Sequence, residues 1–126
     1  MSDADRRKRG QENFKKVTQW DIDLEPVDPF MRATVDGVFG DLWSRPGLTH
    51  KERRFISITC AASAGMTDET QIHMTGALKS GDVTPTEMLE TILQIAHYAG
   101  WPRAASMYRQ LGSICAELDL PVPTGD

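Results

Sequence analysis

The chain has 126 residues, of which 40% are hydrophobic and 25% charged, with a formal net charge of -4. That balance argues for one compact domain and against disorder, and no apolar run approaches the ~18 residues that a membrane-spanning helix needs. The acidic balance speaks against nucleic acid or a membrane as partner, and two cysteines cannot build a disulfide framework or a four-cysteine zinc site. MSDADRRKRG has a charged opening with no apolar stretch behind it, so it does not read as a secretory signal. A soluble cytoplasmic protein is the expectation.

Residues 1–27 read as a basic N-terminal helix or arm. Six basic side chains (Arg6, Arg7, Lys8, Arg9, Lys15, Lys16) leave residues 1–20 near +3 and the remainder near -7. Phe14, Val17 and Trp20 give this segment an apolar face to pack on the body or on a neighbouring subunit. Asp28-Pro29 reads as an N-cap with proline at the first helical position. It opens a helix carrying Phe30, Ala33, Val35, Val38 and Phe39 that stops before Arg45-Pro46-Gly47.

Thr49-His50-Lys51-Glu52 is a capping box, and the helix behind it runs to about residue 64 and ends at Gly65. Thr67 is expected to cap the next helix, which passes through His73 and stops near Gly81. Thr84-Pro85-Thr86-Glu87 repeats the capping box and opens a helix to about residue 99. Pro102 then starts a last helix through Leu118, and residues 119–126 form a flexible tail. The prediction is an all-α fold of about six helices, its domain spanning residues 28–118, with the ten glycines mostly at helix ends.

The helix over 85–99 carries two apolar stripes, one of Leu89, Ile92, Leu93 and Ala96, the other of Met88, Ile95 and Ala99. Apolar surface on two sides of a helix in so short a chain predicts a subunit interface. Glu90, Gln94 and His97 interrupt it as a polar stripe at helical spacing, and such a stripe needs hydrogen-bond partners.

His73 and His97 are the candidate general acids, since imidazole titrates in the working range; His50 is expected to be exposed and without a role. Arg45 and Arg53 are candidate clamps for a carboxylate, whose two oxygens match the guanidinium fork. Trp43, Tyr98 and Trp101 are candidate walls of a small-molecule site. Glu69 with His73 is a single weak pair, so no metal is expected. Cys60 and Cys115 sit in apolar helical surroundings where thiolates are scarce.

Phe39-Gly40-Asp41-Leu42-Trp43-Ser44-Arg45-Pro46-Gly47-Leu48 resembles the opening signature of the carboxymuconolactone decarboxylase family. Arg53, His73 with Gly76-Ala77-Leu78 and Gly81, then Glu87, Glu90 and Tyr98-Ala99-Gly100-Trp101-Pro102-Arg103-Ala104 are similar to its middle and end. The resemblance covers roughly residues 28–115. It implies an alkylhydroperoxidase D-like helical fold whose subunits interlock as trimers or hexamers, with sites near subunit interfaces. By position, His73 matches the family histidine and Glu90 the glutamate before the aromatic turn. The related peroxidase branch has a CxxC pair before its histidine, where this chain reads Asp68-Glu69-Thr70-Gln71-Ile72. Met74-Thr75 and Lys79-Ser80 depart from the decarboxylase pattern.

The implied chemistry is decarboxylation of a small carboxylated lactone ring of aromatic catabolism, or a related lactone transformation. Such a substrate contains its own electron sink, so no cofactor is required. Arg45 or Arg53 suits the binding of an anionic substrate, His73 or His97 the stabilisation of charge on the lactone oxygen and the return of a proton to carbon, and Glu90 the orientation of a histidine or repulsion of the departing carboxylate. The alternatives are a non-catalytic, oligomeric small-molecule-binding protein of the same fold and a peroxidase or other redox protein.

Overall fold

The computed structural model describes residues 2–125. Met1 and Asp126, the outer ends of the expected arm and tail, lie outside the described residues. Among the described residues there are six α-helices and no strand: α1 (Asp3–Thr18), α2 (Pro29–Arg32), α3 (His50–Ser63), α4 (Thr67–Ser80), α5 (Pro85–Ala99) and α6 (Trp101–Glu117). The all-α expectation holds. None of these helices is long and apolar enough to cross a membrane.

Local chemistry sets most of the boundaries. Thr49 and Thr84 each accept from the amide three residues on, while Glu52 and Glu87 return the bond to the threonine amide, so both capping boxes are formed. Asp28 caps α2 through Met31 N, with Pro29 at the first position. Gly81 ends α4 at φ 81°, and Gly100 joins α5 to α6 at φ 113°, a backbone state that side chains disfavour. Thr67 departs from its expected role: it is the first residue of α4, and Met66 precedes it without a side-chain cap.

The helix opened by Asp28-Pro29 is α-helical for only one turn. From Ala33 to Asp41 it is a π-helix, followed by a 3₁₀ turn at Leu42–Ser44. Apolar residues at 35, 38 and 39 suit an α or a π ladder equally, so the pattern alone could not reveal the wider turn. This segment packs closely against α1. A β-carbon on Gly10 would stand 2.0 Å from the Val35 carbonyl oxygen, and one on Gly40 would stand 2.8 Å from that of Arg6. On the other side of α1, a β-carbon on Gly76 of α4 would meet the Val17 carbonyl oxygen at 2.0 Å. These three glycines, all inside helices rather than at their ends, let α1 lie in backbone contact with both neighbours.

Part of the basic face of α1 is taken up by this contact, while Lys8 and Lys16 stay exposed. Arg6 donates to both carboxylate oxygens of Asp41 at 3.1 and 2.7 Å, and Arg7 to both of Asp36 at 3.3 and 3.0 Å. The Arg6 guanidinium accordingly holds the Asp41 carboxyl below its usual range. Phe14 and Val17 of α1 pack with Phe39 and Trp43 in a small second core, and Trp20, two residues beyond the helix and half exposed, meets the Phe14 ring edge-on at 5.9 Å.

The main core fills the space between α3, α4, α5 and α6, with Ile58, Met74, Met88, Met107, Leu111 and Ile114 fully buried. Each such side chain contributes about 1.5–3 kcal/mol of hydrophobic stabilisation. On α5 the buried set is Met88, Ile92, Ile95 and Ala96, which draws from both expected stripes; Leu93 is exposed. Cys115 is buried and its thiol is pushed up by burial, as expected, but Cys60 is exposed on α3.

Candidate functional site

Trp43 is the centre of one polar neighbourhood. The 3₁₀ turn aims its indole inward, where it is 4% exposed. His73, on α4, lies parallel to it, with an interplanar angle of 11° and ring centroids 6.5 Å apart. His50 meets the same indole edge-on at 5.4 Å, and its Nε2 donates to the Trp43 carbonyl at 2.8 Å. His50 is therefore half-buried and structurally engaged, contrary to the expectation of an exposed bystander.

Arg53 completes this neighbourhood. One of its terminal nitrogens donates to the Arg45 carbonyl at 3.2 Å, and its side chain lines a cavity of about 200 Å³ with Leu42, Trp43, Ile56 and Ser57. Arg45 supports Arg53 through its main chain, while its own side chain is exposed. Two nitrogens here, Arg53 Nε and His73 Nδ1, are buried without a hydrogen-bond partner. A third such nitrogen, Arg9 Nε, lies on α1; a buried polar atom without a partner costs about 1–3 kcal/mol, and the two beside Trp43 are free to meet a polar ligand.

The electrostatics of His73 follow from its burial. Desolvation holds the imidazole below its ordinary value, the Arg54 guanidinium adds to this, and Glu69 opposes it. At neutral pH the ring is uncharged and offers one N–H and one lone pair.

Glu90 and Tyr98 stand in a different place. With Gln94 they line an open groove of about 700 Å³ between α3 and α5, whose other wall includes Phe55 and Thr59. Residues 53 and 55 point to opposite faces of α3, because two helical steps turn the chain by about 200°. Helix α3 therefore separates the Arg53 neighbourhood from the Glu90 groove. At the rim of the groove, Lys51 pairs with Glu87 and holds its carboxyl below the usual range.

His97 shares the helical stripe of Glu90 but not the groove. Its Nδ1 donates to the Leu93 carbonyl at 2.8 Å, and its ring meets the edge of Trp101 at 6.1 Å. Trp101 lines a third, shallow pocket of about 330 Å³ with Leu89, Leu93 and Tyr108. Within one chain the structure thus brings together Trp43, His73 and Arg53, with Arg45 at their edge, and leaves Glu90, Tyr98, His97 and Trp101 on other faces. Among the described residues, no group of three or more histidine, cysteine, aspartate or glutamate side chains is arranged to hold a metal ion.

Two polar residues that support the site escaped the sequence reading. Arg54 is 1% exposed and donates to the Val17 and Lys16 carbonyls at 2.8 Å each and to Asp82 at 2.9 Å, so it clamps the last turn of α1. Asn13, 8% exposed, donates to the Phe39 carbonyl at 2.7 Å and the Ser44 hydroxyl at 2.9 Å. A signal for each was present. Arg54 shares the buried stripe of Ile58 and Ala62, and Asn13 that of Gly10, Phe14 and Val17.

An all-helical chain with this site defines a class, and comparison with known proteins identifies it. The model of the carboxymuconolactone decarboxylase family matches residues 28–111, and the chain belongs to that family. It is 30% identical to the 4-carboxymuconolactone decarboxylase of Acinetobacter baylyi (strain ATCC 33305 / BD413 / ADP1), over 95% of this chain and 94% of that protein. It is also 31% identical to nitrosuccinic acid decarboxylase npaB of Metarhizium robertsii (strain ARSEF 23 / ATCC MYA-3075), over 63% of this chain and 57% of that protein.

Proposed function

We propose that this protein is a cofactor-independent carboxy-lyase that acts on a small carboxylated compound bearing its own electron acceptor, a carboxylated lactone ring of aromatic catabolism in the first instance. The observation that carries this reading is the pair of unpartnered buried nitrogens, His73 Nδ1 and Arg53 Nε, on two residues that neighbour Trp43. The two similar proteins add to it. 4-Carboxymuconolactone and nitrosuccinate are both dicarboxylates in which an acceptor, a conjugated lactone or a nitro group, can take up the electrons left by carbon dioxide.

The residues divide the work as follows. Arg53 holds a substrate carboxylate, with Arg45 at the mouth. As the carbon–carboxylate bond breaks, its electron pair passes through the ring double bond to the lactone oxygen, and carbon dioxide departs. His73, kept neutral by burial and by Arg54, donates an N–H hydrogen bond to that developing oxyanion. A donor so placed is worth roughly 10²–10³ in rate. A proton from solvent then adds to the ring carbon, and the product keeps one carboxylate.

Glu90, His97, Tyr98 and Trp101 enter this reading only across a subunit boundary. The exposed Leu93, Trp101 and Tyr108 beside the α5–α6 hairpin support a homo-oligomer, since such an apolar surface favours burial against another copy. The test is carbon dioxide release from 4-carboxymuconolactone and, in parallel, from nitrosuccinate. Turnover of either supports the carboxy-lyase. Saturable binding of both without turnover would replace it with a small-molecule-binding protein of the same fold.

A further inference from the structure

Asn13 lies N-terminal to the family match, on a helix whose sequence reads as a basic arm, yet its side chain reaches both ends of the turn carrying Trp43, where Arg6 of the same helix also holds Asp41. Its amide group bridges two points of the turn. One bond goes to the Phe39 carbonyl, near the end of the π-helix, at 2.7 Å, and the other to the Ser44 hydroxyl, at the end of the 3₁₀ turn, at 2.9 Å. Trp43 sits between these points.

The π-helix needs such a brace. Its ladder reaches from residue i to i+5, a geometry that rarely persists beyond a single turn, and here it runs through Ala33–Asp41. At the junction with the 3₁₀ turn the ladder changes register, and the buried Phe39 carbonyl takes its partner from α1. The rest of α1 is fixed independently: Arg6 and Arg7 anchor its first half to Asp41 and Asp36, and Arg54 clamps its last turn. Asn13 therefore projects from a rigid base, and its two bonds tie the end of the π-helix to the end of the 3₁₀ turn, alongside Arg6 on Asp41 and His50 on the Trp43 carbonyl.

We propose that Asn13 is a positioning residue for the site: by fixing the turn between Phe39 and Ser44 it sets the plane of Trp43 against His73. This rests on the reading that the Trp43–His73–Arg53 neighbourhood is where substrate reacts. Asn13 touches neither substrate nor His73. Its effect passes through Trp43, and a displacement of about 1 Å in a supporting shell commonly costs on the order of 10²-fold in rate.

The test uses Asn13→Asp, which keeps the shape of the side chain but cannot donate to a carbonyl, and Ser44→Ala, which removes one of the two bonds. The full chain is labelled with 5-fluorotryptophan, giving a fluorine resonance for each of its three tryptophans. Expected for Asn13→Asp are unchanged helical circular dichroism, a displaced Trp43 resonance with those of Trp20 and Trp101 in place, and a shifted NMR titration of the His73 ring. With 4-carboxymuconolactone, kcat falls about 10–100-fold and KM moves less than threefold. Ser44→Ala moves the same readouts in the same direction by less.

An unmoved Trp43 resonance with wild-type kcat in the folded variants would overturn the proposal. So would a fall in kcat that only tracks the fraction of unfolded protein. If Asn13→Asp does not fold, Ser44→Ala decides by the same criteria. If the wild-type chain turns over neither substrate, the proposed function fails, and the Trp43 resonance and His73 titration still decide whether Asn13 sets the geometry of the pair.

Discussion

The imidazole of His73 and the indole of Trp43 lie within 11° of parallel, although thirty residues of chain separate them and they belong to different helical segments. The alignment leaves His73 Nδ1 buried and without a protein partner. If that nitrogen serves the reaction, His73→Gln keeps the fold and lowers turnover by about 100-fold or more. Lys79→Gln, exposed on the same helix, is the control and leaves turnover unchanged. His50→Gln is unsuitable as a control, because it removes the bond to the Trp43 carbonyl. Near wild-type turnover by His73→Gln refutes the assignment.

The depressed pKa of His73 makes a separate prediction about stability. The unfolded chain takes up a proton near the ordinary value of 6.5, whereas the folded chain resists protonation until a lower pH. The unfolded state therefore binds more protons in that interval, and stability falls as pH drops through it. Chemical unfolding followed between pH 7.5 and pH 5 should show this loss, and His73→Gln should remove it. Asp41, Glu52 and Glu87, all held below their ordinary values, lose their contribution only at lower pH, so the two effects separate.

The two thiols should differ in reactivity. Cys60 is exposed and Cys115 is buried with its thiol pushed up. Mild alkylation of the native protein should modify one cysteine per chain, identified as Cys60 by mass spectrometry, with Cys115 reacting only in denaturant. Cys60→Ser and Cys115→Ala together should retain turnover. Its loss with the fold intact would return thiol chemistry to consideration.

Much of the fold was legible because helix ends are decided locally. Thr49 with Glu52, Thr84 with Glu87, and Asp28 with Pro29 complete their caps within four residues, and the structure forms all three. What could not be read depends on partners distant in sequence. The close seat of the π-helix on α1 depends on Gly10 against Val35, the burial of Arg54 on carbonyls at residues 16 and 17, and the role of His50 on a turn seven residues earlier. Of the candidate site residues, Trp43 neighbours both His73 and Arg53, while Glu90 and Tyr98 face a groove on the far side of α3, a division set by the helix's three-dimensional packing that spacing alone does not carry.

Glycine substitutions give a direct measure of how closely α1 is held. Gly76→Ala forces a β-carbon to within 2.0 Å of a main-chain oxygen, so a helix must move, and a loss of about 3 kcal/mol is expected. Gly112→Ala in α6 meets nothing within 4 Å and should stabilise by about 0.5–1 kcal/mol. Thermal unfolding of the two variants side by side checks both signs.

Self-association is also testable. Leu93→Asp places a charge on the exposed apolar face of α5, remote from Trp43. In sedimentation velocity the wild-type chain should run as a defined assembly larger than one subunit, and the variant as a smaller species. A wild-type chain that remains monomeric at every concentration excludes this face as an interface between copies.

The π-helix also dictates an order of assembly. Helices α3 and α5 carry their own capping boxes, and α3 to α6 pack on sequence neighbours, so they can form early from local information. The Ala33–Asp41 ladder has no such start: its wide turns are matched to α1, whose partners Asp36 and Asp41 lie 29 and 35 residues along the chain from Arg7 and Arg6. The amino-terminal third of the molecule should therefore be the last part to lock and the first to open. In native-state hydrogen exchange the amides of the π-helix should exchange ahead of those of α4 and α6, and the Trp43 turn should become ordered only when the first helix docks.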